Sequence, residues 1–580
     1  MSAASGRGGH DLVRLTPSFR PGQLQKLAPC QAGCPISGDV RSWIGIVAQR
    51  DKLGLTPAEA YARAWGVIVE RNPMPSTLGR VCPHPCESSC NRSALDEAVS
   101  ISTMERFLGD WAISERLPLT RLEEDEKPES IGVIGSGPSG LSFAYQMARR
   151  GYHVTIYEQR PLAGGMLRYG IPNFRLPPSV LDAEIDRIAR LGVEIQLDTA
   201  VGSDISLAEM RARHVALYVG IGAQSSRGLG IVGETAEAVW NGAEYLLRVN
   251  RGEPVDVGAT VVVIGGGNTA VDAARTARRA GAEVTIVYRR SREEMPAIAA
   301  EVEEAIAEGV GLQLLCAPVR VEPRDGSLVL TVVRMELGEP DESGRRRPVV
   351  VPDSESELLV NTVIAAVSQE PAWSGLEELQ GDGWLAPDST GAITDRVWGG
   401  GDAVELGIVG TAVAHGRRAA ETLHARLRGL PEPPPESRPP IGPSGLRLDA
   451  YPPAARAQAA RLAPRDAVRL PDTEVSFGID QQQFLTEASR CFSCGSCFGC
   501  EQCWMFCTVA SFVRLADPAP GTYFSLSLDH CRECGKCIEV CPCGFLEVTA
   551  DGLRSPSIQS THRRRSAILR ARVEARLHTR

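Results

Sequence analysis

IGVIGSGPSGLSFAYQMARRGYHVTIYE (residues 131–158) has the pattern of a complete β-α-β unit. A β-branched strand leads into Gly135, Gly137 and Gly140, a helix follows, and a second strand ends at Glu158. The first glycine permits a tight turn, the second lets the backbone approach a pyrophosphate, and the third lets the helix pack closely on the strand. The stretch therefore predicts a dinucleotide site in which Glu158 accepts hydrogen bonds from a ribose.

A second unit of the same design is ATVVVIGGGNTAVDAARTARRAGAEVTIVYRR (residues 259–290). Its loop residues are Gly265, Gly267, Asn268 and Ala270. Where an acid would contact a free 2′-hydroxyl, this unit has Arg289 and Arg290, and arginine binds a 2′-phosphate by charge-assisted hydrogen bonds. The pattern favours NADP(H) over NAD(H); the alternative is that these arginines only face solvent.

Residues 129–428 alternate β-branched runs with helical stretches, which predicts an α/β fold with parallel sheets. The second unit interrupts the first, so we expect two nested Rossmann-like domains, one for a flavin and one for a nicotinamide nucleotide. VWGGGDAVELGIVGTAVAHGRRAAETL (397–423) fits the segment that closes the first fold. Within it, Gly401 and Asp402 are predicted to contact the flavin's ribityl or phosphate group.

Composition limits the class of protein. The chain has 580 residues, 43% hydrophobic residues and a net charge of −9, which suits several globular domains and argues against nucleic-acid binding. No apolar stretch approaches the roughly 20 residues of a membrane span, and residues 1–20 contain no secretion signal. We therefore expect a cytoplasmic protein, in which seventeen cysteines indicate metal ligation rather than disulfides. Sixteen of them lie in two groups at the chain ends, and the isolated Cys316 is expected to be a small buried apolar residue.

Two cysteine runs near the C-terminus share the spacing C-x₂-C-x₂-C-x₃-C. Such paired runs are typical of two-cluster ferredoxins, in which the fourth cysteine of each run binds the other cluster. One [4Fe–4S] cluster is then predicted on Cys497, Cys500, Cys503 and Cys541, and another on Cys507, Cys531, Cys534 and Cys537. Zinc is the alternative for these thiolates.

Three cysteines of this region, Cys491, Cys494 and Cys543, fall outside that frame. Cys491 and Cys494 could enter the first cluster in a shifted frame, or the three spare thiols could form a third metal site. The remaining alternative is that they bind no metal. The N-terminal region adds Cys30, Cys34, Cys82, Cys86 and Cys90, too few for two sets of four thiolates.

Four motifs resemble the small subunit of NADPH-dependent glutamate synthase and its relatives: GGMLRYGIPNFRLP (164–177), GGGNTAVDAART (265–276), VYRRSREEMPA (287–297) and GDAV with GTAVAHGRRAA. The resemblance covers roughly residues 25–428 and implies FAD on the first site, NADPH on the second, and electron transfer through iron–sulfur clusters. It also implies that Gly164 and Gly165 lie close to FAD.

The N-terminal cysteines resemble the cluster-binding domain of the same family. The resemblance implies one cluster on Cys34, Cys82 and Cys86, with Glu105 as a non-cysteine ligand. Relatives with two clusters have a further C-x₂-C upstream of Cys30, which this chain lacks, so Cys30 and Cys90 would be remnants of a lost cluster. Alternatively, a single cluster uses four of the five cysteines, or the site binds zinc.

The predicted organisation has six parts: an N-terminal helical iron–sulfur domain (1–128), the FAD domain (129–255 and 371–428), the NADP(H) domain (256–370), a proline-rich linker (429–479), a bacterial-type ferredoxin domain (480–550) and a basic tail (551–580). No catalytic side chain is predicted, because nicotinamide and flavin carry the hydride chemistry.

Attachment of a ferredoxin domain resembles two fused variants of the family. One is the NADP-linked third subunit of 2-oxoacid (2-oxoglutarate) oxidoreductases, which we favour, and the other is the iron–sulfur flavoprotein partner of dissimilatory sulfite reductase. We expect a hetero-oligomer in which the catalytic subunits of such an enzyme, or a ferredoxin, are the partner. The sequence is also compatible with a glutamate synthase small-subunit homologue, or with a pure electron-relay subunit that never meets free nicotinamide.

Overall fold

The structure, a computed structural model, describes residues 20–341, 344–432 and 439–548; the basic tail lies outside them. The first dinucleotide fold is a six-stranded sheet, and all neighbouring strands are parallel except one terminal hairpin. Its strands lie in the order Ala392–Thr394, Val397–Gly399, Ala216–Val219, Ser130–Ile134, His153–Tyr157 and Val193–Gln196. The accompanying helices are Pro138–Ala148, Met166–Tyr169, Pro178–Ala189, Leu207–Arg213 and Val409–Arg428.

The second fold is a five-stranded parallel sheet inserted into the first. Its strands lie in the order Gly311–Leu314, Glu283–Tyr288, Thr260–Ile264, Thr362–Ala365 and Val239–Asn241, with helices Gly242–Asn250, Asn268–Arg279 and Ala299–Ala307. The central strand is buried along almost its whole length, as expected for a parallel sheet covered on both faces. The prediction of two nested Rossmann-like folds is confirmed.

The boundary between the two folds lies earlier than the sequence predicts. A two-stranded antiparallel link, Ser225–Ser226 with Gln369–Glu370, carries the chain out of the first fold and back. Residues 239–250, assigned to the FAD domain, instead supply an edge strand and a helix of the second fold. The boundary was missed because Val239–Asn241 is too short to give a strand signal in the sequence.

An antiparallel sheet beside the second fold is absent from the prediction. It consists of strands Cys316–Arg324, Ser327–Pro340, Arg346–Val350 and Ser356–Val360. Leu328, Leu330 and Val332 on its longest strand are buried in one hydrophobic cluster with residues of the parallel sheet, so this sheet packs against the second fold.

The N-terminal region is helical, as predicted, and it is joined to the C-terminal region. Its helices are Pro29–Ala32, Val40–Ala48, Pro57–Val69, Pro75–Val81, Pro85–Ser88 and Ile101–Ser114. The late helix Gln481–Ser489 completes this core, where Phe484 stacks on Phe107 with ring centroids 4.3 Å apart. The predicted ferredoxin-domain boundary at 480 is therefore too early, because this apolar anchor holds residues 481–489 among the N-terminal helices.

The C-terminal cysteine region is built from a hairpin and two short helices. These elements are Phe512–Ala519 with Thr522–Leu526, and helices Gln502–Phe506 and Lys536–Glu539. Strand Leu546–Val548 pairs antiparallel with Pro21–Gln23, so the two ends of the described chain share a sheet.

The sequence predicts a proline-rich linker over 429–479, but residues 439–479 are folded and packed on the N-terminal region. They contain helix Pro464–Arg469 and pair strand Ala460–Arg461 with Ser476–Gly478. Glu474 in this segment forms ion pairs with Arg80 and Arg106 of the N-terminal helices. Proline opens the helix at a position that needs no backbone donor, so it is compatible with this packing.

Among the described residues, no helix combines the length and apolarity that crossing a membrane requires.

Candidate functional site

The loop before helix Pro138–Ala148 leaves room for a ligand at Gly137, whereas the backbone is closely packed at Gly140. A Cβ atom at Gly140 would lie 2.1 Å from the Gly135 carbonyl oxygen, so only glycine allows the helix to pack this close to the strand. A Cβ at Gly137 would meet no protein atom within 4 Å. The open side of Gly137 is where a pyrophosphate can approach the backbone and the helix N-terminus.

The other residues predicted to contact FAD converge on this loop. Glu158 is buried and accepts hydrogen bonds from the backbone N–H and the hydroxyl of Ser136, at 3.0 and 2.5 Å. The Ser136 hydroxyl also accepts a bond from the Gly164 N–H at 3.1 Å, and a Cβ at Gly165 would lie 2.8 Å from the Gly137 Cα. These contacts fix the glycine pair against the loop, so the residues present fit an FAD cradle.

Gly401 and Asp402 approach the same loop from the late segment. A Cβ at Gly401 would lie 2.9 Å from the Ser139 side chain, and Gly401 donates to His415 Nδ1 at 3.1 Å. Burial raises the pKa of Asp402 to about 6, although the Gly407 N–H partly offsets this by donating to its carboxylate. A half-buried carboxylate with few partners is suited to accept hydrogen bonds from hydroxyl groups of a bound ligand.

The second glycine loop has the same open position. A Cβ at Gly267 would meet no atom within 4 Å, whereas one at Gly265 would lie 2.3 Å from the Ala366 carbonyl oxygen. Ala270 is buried behind the loop, and the Asn268 side chain accepts a bond from the Ile298 N–H at 2.9 Å. Asn268 therefore anchors the neighbouring loop, and the open face of Gly267 remains for a pyrophosphate.

The two arginines predicted to bind a 2′-phosphate differ in their surroundings. Arg290 is buried, donates to the Arg346 carbonyl oxygen at 2.8 Å and pairs with Asp341 at 2.5 Å. Arg289 is exposed next to it at the end of the strand. Of the two, Arg289 has the exposure that contact with a 2′-phosphate requires, while Arg290 holds the antiparallel sheet against the second fold.

We expect Arg289→Ala to raise KM for NADPH about 10- to 100-fold, the loss of one or two charged hydrogen bonds, with little change for NADH. The measurement is steady-state dye reduction with each nucleotide. Arg292, which pairs with Glu303 at 3.1 Å, provides the matched control: Arg292→Ala should change neither value. An equal effect of Arg289→Ala on both nucleotides would contradict the assignment.

A cleft between the two nucleotide folds was not predicted. It is lined by side chains from both folds, among them Arg160, Tyr169, Gln224, Asn241 and Glu244. Arg160 donates to Gln224 at 2.9 Å and lies over the Tyr169 ring at 4.9 Å. No motif marks these residues, because only the domain arrangement brings them together.

The predicted N-terminal ligands Cys34, Cys82, Cys86 and Glu105 lie together. Burial, together with the nearby Glu105 and Cys34, raises the pKa of Cys82 to about 12. Burial also raises the pKa of Glu105 to about 7, although Asn72 donates to it at 2.9 Å. The loop after Cys34 contacts helix Val409–Arg428 at two points: a Cβ at Gly410 would lie 3.6 Å from the Pro35 side chain, and Arg417 donates to the Ile36 carbonyl oxygen at 3.4 Å. This group therefore adjoins the predicted FAD site.

The predicted C-terminal ligands lie in two neighbourhoods, and their assignment to two clusters stays a prediction. Cys541 acts electrostatically on Cys497, Cys500 and Cys503, and thus lies with the opposite run. Cys507 likewise lies with Cys531, Cys534 and Cys537. The spare Cys543 is buried, with its sulfur 3.8 Å from that of Cys541. Cys534 is exposed, so the last group reaches the surface.

Cys30 and Cys90 are not an isolated remnant. They line one cavity together with Cys491 and Cys494 of the C-terminal segment. Burial raises the pKa of Cys491 to about 11 and that of Cys494 to about 12, and neighbouring thiols add to both shifts. The sequence did not predict this grouping, because about 400 residues separate its two halves.

All seventeen cysteines lie in the described residues, and none forms a disulfide. Within residues 20–341, 344–432 and 439–548, no three or more His, Cys, Asp or Glu side chains are close enough together to hold a single metal ion.

Comparison with known families agrees with this geometry. Residues 129–417 match the family model described as pyridine nucleotide-disulphide oxidoreductase. Residues 24–117 match the model described as dihydropyrimidine dehydrogenase domain II, 4Fe-4S cluster. The two matched ranges contain the glycine loops and the N-terminal cysteine group.

Among curated proteins, the beta subunit of an NADP(+)-dependent formate dehydrogenase from Moorella thermoacetica is 37% identical over 80% of this chain and 70% of its own length. The glutamate synthase [NADPH] small chain of Azospirillum brasilense is 34% identical over 70% of this chain and 87% of its own. The beta subunit of an NADPH-Fe(3+) oxidoreductase from Geobacter sulfurreducens is 40% identical over 59% of this chain, which spans about half (51%) of that relative.

Proposed function

The chain belongs to the family of the NADPH-dependent glutamate synthase small chain, and from this we propose that it exchanges electrons between NADP(H) and a separate redox enzyme. It is a flavin-dependent NADPH oxidoreductase with iron–sulfur centres. FAD in the first fold would supply the chemistry that takes a hydride from nicotinamide and passes electrons on singly. The two glycine loops would hold the dinucleotides, and the cysteine groups would hold the clusters.

One observation carries this proposal: the cysteine groups extend from the flavin cradle to the surface. The first group adjoins helix Val409–Arg428 at Ile36, and the last includes the exposed Cys534. Beside the last two groups, Trp504, Met505 and Phe506 are 41, 59 and 50% exposed. Exposed aromatic residues and methionine are typical of protein interfaces, so we propose that the partner's catalytic subunit docks here.

The partner is the finer part of the proposal. The appended ferredoxin-like segment favours a 2-oxoacid oxidoreductase, as the sequence indicates. The name of the Moorella relative favours formate dehydrogenase as a second candidate, because that match extends over 80% of this chain. In both cases the chain is one subunit of a hetero-oligomer. Since clusters and free thiols require reducing conditions, we retain the cytoplasm as its predicted location.

The proposal predicts that the full chain, purified without oxygen, reduces benzyl viologen with NADPH and bleaches its own flavin absorbance. Failure with both NADPH and NADH would contradict it and would favour a pure relay subunit. Adding catalytic subunits of each candidate enzyme then distinguishes the partners. We expect 2-oxoglutarate-dependent reduction of NADP⁺ in one case and formate-dependent reduction in the other, with Met505→Asp lowering the partner-dependent rate but not the viologen rate.

A further inference from the structure

Four cysteines from the two ends of the chain line one cavity between the N-terminal helices and the C-terminal segment. They are Cys30, Cys90, Cys491 and Cys494. Their thiols are close enough to oppose one another's ionisation: Cys491, Cys494 and Cys90 all act on Cys30. A disulfide would account for two of these cysteines, and packing in a core would account for an isolated one. Neither explains why four thiols lie in one largely apolar cavity.

The short helices of the N-terminal region explain how two sites arise side by side. Helices Pro29–Ala32 and Pro85–Ser88 pack together, and Gly33 makes this possible because a Cβ there would lie 2.2 Å from the Ser89 hydroxyl. Each helix contains one cysteine and is followed by a second one four residues later: Cys30 with Cys34, and Cys86 with Cys90. Cys34 and Cys86 face Glu105, and the other member of each pair faces the second cavity.

The second cavity has the polar groups of a built site. Asn91 directs its amide N–H groups to the Cys494 sulfur at 3.6 Å and to the Ile441 carbonyl oxygen at 2.9 Å. The Ser493 N–H donates to the Cys491 sulfur at 3.5 Å. N–H groups directed at sulfur stabilise the negative charge that a thiolate-bound cluster carries.

Two arginines hold the C-terminal half of this cavity against the N-terminal half. Arg41 donates to the Cys494 carbonyl oxygen at 2.8 Å and to the Lys26 carbonyl oxygen at 2.6 Å. Arg92 donates to the Arg490 carbonyl oxygen at 3.0 Å and lies 4.9 Å over the Phe492 ring. Both are buried and line the cavity, so two positive charges lie beside the four cysteines.

We propose that Cys30, Cys90, Cys491 and Cys494 hold a further [4Fe–4S] cluster, so that the N-terminal and C-terminal segments complete one site between them. The C-x₂-C pair that relatives have upstream of Cys30 is supplied here by Cys491 and Cys494. The inference concerns metal content and is independent of the electron acceptor. It accounts for every cysteine of the chain ends except Cys543.

The proposed cluster lies between the Cys34 group and the group that contains Cys497. It shares two helices with the Cys34 group, and Cys494 is three residues from Cys497 of the next group. Tyr451 packs on Phe492 with ring centroids 4.2 Å apart and lies near Cys494, Cys500 and Cys543. One-electron reduction and reoxidation of this cluster would connect the flavin side to the ferredoxin-like side without atom transfer.

The test is an iron and acid-labile sulfide count per chain on the anaerobically purified full chain. Four clusters give about 16 irons, four per cluster. Cys491→Ser/Cys494→Ser should retain about 12, and so should Cys30→Ser/Cys90→Ser. The quadruple variant should also retain about 12, because both pairs serve one cluster. The proposal would be overturned if the iron losses of the two double variants added up in the quadruple variant, or if neither double variant lost iron. One zinc per chain would also overturn it.

Two controls address misfolding and the role of the spare thiol. Cys543→Ala should keep about 16 irons, four in each of the four clusters, which excludes a site built on Cys543. The second control uses the unaltered protein, so it cannot be affected by a misfolded variant: its cysteines are alkylated with and without an iron chelator. The four cysteines should become reactive together only after iron is removed. If the four cysteines are alkylated while the protein still holds all its iron, they do not bind a shared cluster. If they stay unreactive after the chelator has removed the iron, as cysteines in a disulfide would, the shared cluster is also contradicted.

Discussion

Gly267→Val is expected to lower NADPH-dependent flavin reduction by on the order of 10²-fold or more while leaving the bound flavin in place. The backbone at Gly267 is extended (φ −92°, ψ 176°), which valine adopts readily, and a Cβ there meets no protein atom within 4 Å. The side chain would fill the space through which a pyrophosphate approaches the helix N-terminus. Stopped-flow bleaching of the flavin by NADPH measures the loss.

Gly137→Val is the matched control, because Gly137 has the same extended backbone and the same open side in the first fold. This variant should lose FAD and keep NADPH binding, measured by flavin absorbance and nucleotide titration. The two variants thus dissociate the two sites. If Gly267→Val lost FAD and Gly137→Val did not, the assignment of the two loops would be reversed.

Arg175→Ala is expected to lower the free energy of unfolding by about 3–5 kcal/mol. Arg175 follows the YGIP turn of the first fold, and it pairs with Asp272 on helix Asn268–Arg279 of the second, at 2.7 Å with both side chains 5% exposed. Removing the guanidinium leaves the carboxylate buried without its main partner, which is far more costly than losing an exposed pair. Urea denaturation of the flavin-loaded protein gives the value.

Arg211 and Glu378 supply a comparison pair at the same 2.7 Å, but 38 and 55% exposed. Arg211→Ala should cost only about 0–1 kcal/mol, because solvent screens the pair. The double variant Arg175→Met/Asp272→Leu should recover most of the stability, since it removes both buried charges. A cost for Arg175→Ala no larger than that for Arg211→Ala would show that the Arg175–Asp272 pair does not join the two folds.

The nucleotide sites were predictable because their requirements are local. Gly135, Gly137 and Gly140 lie within six residues, and the turn, the phosphate approach and the helix packing each constrain one of them. The two-cluster frame also rests on local spacing, which repeats within each run, and it stays a prediction. Domain boundaries were less accurate, because the link at Ser225–Ser226 is two residues long and the prolines of 439–479 are compatible with packing.

The sequence by itself determined the two nested dinucleotide folds and the ligand types at the chain ends, since both follow from short, regular spacings. Tertiary structure alone decided which arginine is free to meet a phosphate and which cysteines share a cavity. The sequence does not distinguish Arg289 from Arg290, whereas the structure shows that Arg290 pairs with Asp341. Cys491 and Cys494 had no partner until the chain ends packed together, because a ligand set depends on distance in space and not on distance along the chain.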